Sequence, residues 1–180
     1  MRIVTIGRGT IGGGLANLWR TAGHQVQELG RDGGDASGAD IILVAVPGAQ
    51  ISDALSRVTG LEGKMAIDAT NVLPARQGDF PSYAHEVKSF TRAPVAKSFN
   101  MNFGGLFGAV REQRVRPSNW YVADESACEV TEHLIRDAGY DPVRVGDLSR
   151  ARDFENAVWL LMGVRPVGEV FYRFAVPGEL

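Results

Sequence analysis

A short β-branched run, Arg2-Ile3-Val4-Thr5-Ile6, leads directly into Gly7-Arg8-Gly9-Thr10-Ile11-Gly12, and no other stretch of the chain restricts its fold as much. The spacing is G-x-G-x-x-G. It sits between an extended run and a segment, Thr10 to Ala22, in which Ile11, Leu15, Leu18 and Trp19 share one helical face. In such a strand, tight turn and helix, the first glycine permits the turn, the second lets a phosphate approach the backbone, and the third lets helix and strand pack closely. The free N–H groups at the start of the helix favour an anion. Gly7, Arg8, Gly9, Thr10, Ile11 and Gly12 are therefore predicted to hold the pyrophosphate of a dinucleotide.

The remainder keeps the same alternation. Gln25 to Leu29 reads as a second strand, and the loop Gly30 to Gly38 is too rich in glycine for a helix. Asp40 to Pro47 is a continuous apolar run closed by proline, the pattern of a strand buried on both faces. Ile51, Leu55 and Val58 fall at helical spacing, Met65 to Asp68 is extended, and a helix is predicted near Ser82 to Thr91. Strands follow at Val95 to Phe99 and Trp120 to Ala123, then helices at Glu125 to Ala138 and Leu148 to Met162. The fold class predicted is α/β, a Rossmann-type doubly wound parallel sheet with a small C-terminal helical appendage. Residues 1–145 are expected to form the dinucleotide-binding domain and 146–180 the helical portion, which completes a second ligand pocket or a dimer seam. Residues 101–118 have no clear period and are expected to form a long loop, mobile at Gly104, Gly105 and Gly108 and positive at Arg111, Arg114 and Arg116.

Composition narrows the function classes. The chain has 180 residues, 44% of them hydrophobic, and a formal net charge of -2, so it lacks the basic footprint of a nucleic-acid binder. No apolar stretch reaches the ~18 residues of a membrane span. The extended run beginning at Arg2 leaves no expected signal peptide, and one cysteine, Cys128, suits a reducing cytoplasm. Cys128 lies in an acidic helical segment and is expected to pack. His24, His85 and His133 lie apart in the sequence, so no metal site is expected. Trp19 and Trp120 read as core, while Trp159 could face the core, a dimer seam or a flat ring.

The end of the second strand chooses between dinucleotides. An acidic side chain there would hold the ribose hydroxyls of NAD; here Leu29-Gly30-Arg31 places a guanidinium where NADP carries its 2′-phosphate, with Gly30 leaving room, and Arg8 could add to that pocket. Glu28 could take the acidic role if the strand ended earlier. Ala45, Val46 and Pro47 close the central strand and Asn71 closes the next, so all four are expected on the nicotinamide side. Asn71 could hold a carboxamide or ribose hydroxyl, or simply form the turn before Val72-Leu73-Pro74. Lys97 and Asn100 bracket the end of the following strand. The lysine could meet a phosphate, a carboxylate or a reacting oxygen, or stand solvated, and it is the one weak catalytic candidate.

These residues carry a family resemblance. Gly7 to Gly12, Ala22-Gly23-His24-Gln25-Val26 leading to Arg31, Ala39-Asp40 through Val46-Pro47-Gly48, Ile67-Asp68-Ala69-Thr70-Asn71 and Lys97-Ser98-Phe99-Asn100 resemble the NADP oxidoreductases dependent on the deazaflavin coenzyme F-420. Tyr121-Val122-Ala123-Asp124-Glu125, Asp137-Ala138-Gly139-Tyr140 and Val145-Gly146-Asp147-Leu148 extend the resemblance over most of the chain. It implies a Rossmann domain binding NADP(H), a C-terminal portion completing the deazaflavin pocket, and a homodimer. The expected activity is hydride transfer between NADP(H) and the deazaflavin. A reductase of a small carbonyl or imine, with Lys97 orienting or protonating the substrate, and a non-catalytic NADP-sensing module are the alternatives. The homodimer is also motivated by two apolar stretches, Ala157 to Met162 and Phe171 to Phe174, which a short appendage cannot easily bury.

Overall fold

The structure, a computed structural model, describes residues 1–71, 79–163 and 168–178. Its first half runs β1 (Arg2–Ile6), α1 (Thr10–Thr21), β2 (Gln25–Leu29), β3 (Gly34–Asp35), β4 (Ile41–Val44), α2 (Ile51–Ser56), β5 (Val58–Thr59) and β6 (Met65–Asp68). The second half runs α3 (Tyr83–Thr91), β7 (Val95–Ser98), β8 (Ser118–Ala123), α4 (Cys128–Asp137), β9 (Asp141–Asp147) and α5 (Ala151–Gly163). Seven strands form one sheet in the order β2-β1-β4-β6-β7-β8-β9, while β3 and β5 make a separate two-stranded pair. The fold is Rossmann-type α/β, as the alternation of strands and helices predicts.

Burial explains why the central strands read as unbroken apolar runs. In β4, Ile42 and Val44 join a core with Val4, Ile6 and residues of α2, α3 and α5, whereas Ile41 and Leu43 join one with Ile3, Leu15, Trp19 and α4. Helices thus cover both faces, and each such side chain contributes roughly 1.5–3 kcal/mol of burial. Local signals set the helix ends: the Ser82 hydroxyl accepts from the His85 N–H at the start of α3. The Trp19 indole N–H donates to the Leu134 carbonyl at 2.9 Å, fastening α1 to α4 inside the second core.

The second half departs from expectation in three ways. First, β8 runs antiparallel to β7, with β9 parallel to β8. The connection after β7 never crosses back over the sheet, so β8 starts beside the end of β7. Second, residues 101–118 are not an irregular mobile loop: Gly104–Glu112 is a 3-10 segment whose Phe107 and Val110 are buried against α1 and α4. Third, the C-terminal portion is only half helical. After α5, an extended arm returns to β8, where Tyr172 O accepts from Ser118 N and Phe174 N donates to Ser118 Oγ, both at 2.8 Å. The boundary at 145/146 falls inside β9.

The packing of the 3-10 segment decides the sign of two matched substitutions. Alanine exceeds glycine in helix propensity by about 1 kcal/mol. A Cβ at Gly13 would meet nothing nearer than 3.4 Å, whereas one at Gly14 would lie 2.5 Å from the Phe107 ring. Gly13→Ala should therefore stabilise the fold by up to about 1 kcal/mol, and Gly14→Ala should lower stability, because overpacking costs about 1–3 kcal/mol. Urea denaturation of the two variants checks the opposite signs.

Candidate functional site

The chain leaves β1 toward β2 on one side and reaches β4 on the other, so the crevice between the ends of β1 and β4 is the topological switch point where such sheets bind ligands. The glycine turn lies there. Gly7 has φ +110°, and any side chain on it would strike the Ala45 carbonyl; a side chain at Gly12 would strike the Gly7 carbonyl. At Gly9, by contrast, an added Cβ meets nothing within 4 Å. Two glycines therefore close the turn onto β4, and the third leaves the backbone open to a ligand. Gly9 caps α1 without a side-chain hydrogen bond, and the first turn holds no acidic residue, which leaves the helix N–H groups available to an anion. A cleft of about 270 Å³ opens here, lined by Gly9 to Ile11, Ala45 to Pro47 and Ala69 to Asn71.

The end of β2 is basic. Glu28 is held by Arg20 at 2.7 Å, beside α1, and the strand continues past it to Leu29. The Arg8 guanidinium lies over Gly30, where any side chain would collide with it. Arg31 is exposed. Its carbonyl accepts from Arg57 Nη1 at 3.0 Å, and Arg57 is turned by an ion pair with Asp53 at 2.8 Å. Arg57 thus joins Arg8 and Arg31 at this strand end, a neighbour that only the β3–β5 pairing brings close.

On the opposite wall, Asn71 and Asn100 are locked together. Asn71 Nδ2 donates to Asn100 O at 2.8 Å, and Asn100 Nδ2 donates to Asn71 Oδ1 at 3.2 Å. The turn read at 72–74 lies outside the described residues. Phe99, just before Asn100, is buried with φ +63°, a left-handed backbone that is costly for a bulky residue and that turns Asn100 back toward Asn71.

Lys97 is neither solvated nor open to the cleft. It is fully buried, its Nζ donating to Asp68 Oδ2 at 2.6 Å and to Thr70 O at 2.9 Å, with Glu155 Oε1 of α5 at 3.3 Å. The ammonium thus holds the chain end that carries Asn71 and is enclosed by these partners, where a solvated or ligand-facing lysine was the expectation. Burial pushes the Glu155 carboxyl above its ordinary range, and the neighbouring Asp68 adds to the rise against the pull of Lys97. Glu155 Oε1 also accepts from Tyr83 N at 2.6 Å. Asp68 and Glu155 were not singled out from sequence as site residues. The signal was present in part: a lysine inside an all-buried strand needs a carboxylate, and Asp68 is its register partner on β6.

Beside Asn100, an apolar recess of about 250 Å³ is lined by Met101, Trp120, Ala157, Leu160, Leu161, Tyr172 and Phe174. The Trp120 ring is half-buried among Phe154, Tyr172 and Phe174, at centroid distances of 6.4, 5.5 and 4.6 Å. Trp159 is exposed. Arg111, Arg114 and Arg116 are elsewhere: with Arg136 they line a separate cleft of about 620 Å³ at the far end of α1, by Ala22. A twelve-residue helix separates that end from the glycine turn by about 18 Å. Cys128 is half-buried, and burial pushes its thiol up, away from the reactive thiolate. His24 and His133, expected to be apart, converge on Asp137.

No family model matches the chain, and no curated protein sequence matches it. Solved structures do. A provisionally assigned F-420-dependent NADP-reductase from Arthrobacter sp. FB24 superposes with a TM-score of 0.81 at 21% identity, covering 97% of this chain and 98% of that one. A hypothetical protein of Sinorhizobium meliloti matches at 0.64 and 19% identity, over 97% and 93%. An imine reductase of Myxococcus stipitatus in complex with NADP+ matches at 0.66 and 20% identity, covering 93% of this chain but 63% of the other. These likenesses establish a shared fold.

The buried cluster yields a paired prediction. Lys97→Met leaves the Asp68 carboxylate enclosed without its partner and should cost about 3–5 kcal/mol. Glu155→Gln keeps the oxygen that Tyr83 N uses. An unfolded glutamate titrates near ~4.3, and the folded Glu155 holds its proton more tightly, so its contribution to stability falls as pH rises from there toward its raised value. Denaturation across pH should show that downward slope in the parent and its loss in Glu155→Gln.

Proposed function

We propose that the chain is an NADP-dependent oxidoreductase moving a hydride between NADP(H) and the deazaflavin coenzyme F-420. The observation that carries this reading is the chemistry of the strand-end cleft: among the described residues, its lining has an open backbone at Gly9 and no carboxylate, imidazole or ammonium. Such a wall suits a reaction in which two rings exchange a hydride without a protein acid. The Gly7–Gly12 turn and the start of α1 would hold the pyrophosphate, Arg31 with Arg8 the 2′-phosphate, and Ala45, Val46, Pro47, Asn71 and Asn100 the nicotinamide side. Bound there, the nicotinamide supplies or accepts the hydride; the protein orients it and keeps water out. Lys97 acts from behind, through Thr70. The portion 146–180 completes the acceptor pocket with the aromatic recess. The likeness to an F-420-dependent NADP-reductase supports the acceptor, and a single cysteine accords with a reducing cytoplasm.

A second reading has its own support. Among the described residues, the recess lining holds no basic residue to meet an anionic coenzyme tail, and Arg111, Arg114 and Arg116, the positive residues of 101–118, lie at the far end of α1. A small apolar imine or carbonyl compound fits such a recess, and the fold is shared with imine reductases and a reductive aminase. NADPH-dependent bleaching of oxidised deazaflavin supports the first reading; turnover of imines or carbonyl compounds alone selects the second; binding without turnover leaves a sensing module.

Cofactor choice gives a quantitative test. Arg31→Glu should weaken NADPH about ten- to a hundredfold, the equivalent of roughly 1.5–3 kcal/mol for a charged phosphate contact, and leave NADH much less affected. Fluorescence titration of both cofactors measures the ratio; an unchanged ratio removes Arg31 from the site.

We further propose a homodimer joined through the end of α5 and the returning arm. Leu160 is 80% exposed, and Trp159, Phe174 and Val176 are more than half exposed, an apolar surface that association would cover. Sedimentation should give a dimer mass at micromolar concentration and a monomer for Leu160→Asp; a monomeric parent overturns the proposal.

A further inference from the structure

Far from the strand-end cleft, three side chains from two elements meet. His24 lies in the turn between α1 and β2, and His133 and Asp137 are one helical turn apart on α4. His24 Nε2 is 2.7 Å and His133 Nε2 3.1 Å from the same carboxylate oxygen, Asp137 Oδ2. One ligand atom from each residue falls within 4.8 Å of the others. A hydrogen-bonded clamp between the α1–β2 turn and α4 needs one imidazole; here two converge on one oxygen, and they come from elements that the sequence separates by more than a hundred residues.

We propose that His24, His133 and Asp137 form a site for a divalent transition metal of the zinc class. Zinc takes imidazole nitrogen and carboxylate oxygen at about 2.0–2.2 Å in tetrahedral geometry, which sets neighbouring donor atoms a little over ~3 Å apart. The separations of 2.7 and 3.1 Å to Asp137 Oδ2 widen slightly to admit the ion, and the two imidazole nitrogens, within 4.8 Å of one another, close on it. Two nitrogen donors select such a metal over magnesium or calcium, which prefer all-oxygen shells. The donors are also held in place. His24 is buried, and its Nε2 is directed at Asp137 Oδ2. Arg111 Nη2 donates to the Asp137 backbone carbonyl at 2.7 Å, so this guanidinium anchors the ligand-bearing turn without engaging its carboxylate. Of the other arginines that line the cleft with Asp137, Arg136 is engaged by Glu132 at 2.8 Å, and Arg114 and Arg116 lie on the cleft wall without an ion pair to Asp137. His133 is exposed and Asp137 lines the 620 Å³ cleft, which leaves water within reach for a fourth ligand. The ion would tie the α1–β2 turn to α4, so its effect is on stability rather than on hydride transfer.

Tag-free protein, stripped with a chelator and desalted, is titrated with zinc sulfate by calorimetry and assayed for metal after equilibrium dialysis. One zinc per chain is expected. His133→Ala and Asp137→Asn should each weaken binding at least tenfold, and His85→Ala, at a histidine on α3, should leave it unchanged. Zinc should raise the melting temperature of the parent and not that of His133→Ala. His133 is exposed, so its variant probes the site without disturbing the core. No binding up to about 0.1 mM zinc, or a His133→Ala variant that binds like the parent, overturns the site.

Discussion

An ammonium group with no access to water organises this molecule. Lys97 lies inside a buried strand, and a cation there is tolerated only with partners that replace its hydration. Those partners come from three places: Asp68 at the same register on the neighbouring strand, the Thr70 carbonyl just beyond it, and Glu155 on α5. The sheet end that carries Asn71 and the helix that walls the apolar recess are therefore fixed to one point. Glu155 extends the tie to α3 through Tyr83 N. The cleft and the recess consequently share one rigid support, and a shift of α5 would disturb the crevice wall through Lys97 before it reached any ligand.

The fold was legible wherever one local signal sufficed. The apolar run at β4 could only be a doubly covered strand, and the glycines at 7, 9 and 12 could only be a turn against another backbone; the collisions a side chain would make at Gly7 and Gly12 give the physical reason. Legibility failed where long-range contacts decide. The glycines and arginines of 101–118 read as a mobile basic loop, but Phe107 and Val110 bury that segment against α1 and α4, and burial outweighs local composition. The sequence of β9 contains Pro142, Gly146 and three exposed residues, poor credentials for a strand, yet it pairs along the edge of the sheet, where a proline costs little.

The candidate site was legible to the same depth. The glycines that shape the turn at the cleft were legible, because glycine spacing is a local property. Lys97 was noticed and misread: its position at a strand end suggested contact with a ligand, and the number of apolar neighbours in β7 was the stronger clue. Arg57 illustrates the opposite case. Nothing between Asp53 and Val58 marks it as part of a binding region, and it reaches the end of β2 because the short β3–β5 pair folds Gly34 onto its carbonyl.

On the proposed reading, this arrangement divides the labour of recognition. The cofactor is chosen at β2, where Arg8 and Arg31 are exposed and adjust without touching the core. The acceptor is chosen at the returning arm, where Tyr172 and Phe174 surround Trp120 and are joined to β8 by hydrogen bonds at Ser118. Between them lies the strained Phe99–Asn100 corner, held by Asn71 and by the Phe154 carbonyl of α5. Hydride transfer between two bound rings depends steeply on their separation and alignment, and among the described residues no titratable group lines the cleft to compensate for poor alignment. Rate must therefore come from the stiffness of that corner. Changes at β2 should move affinity for one nucleotide over another, whereas changes that loosen the corner act on the distance between the rings, and so on the transfer step itself.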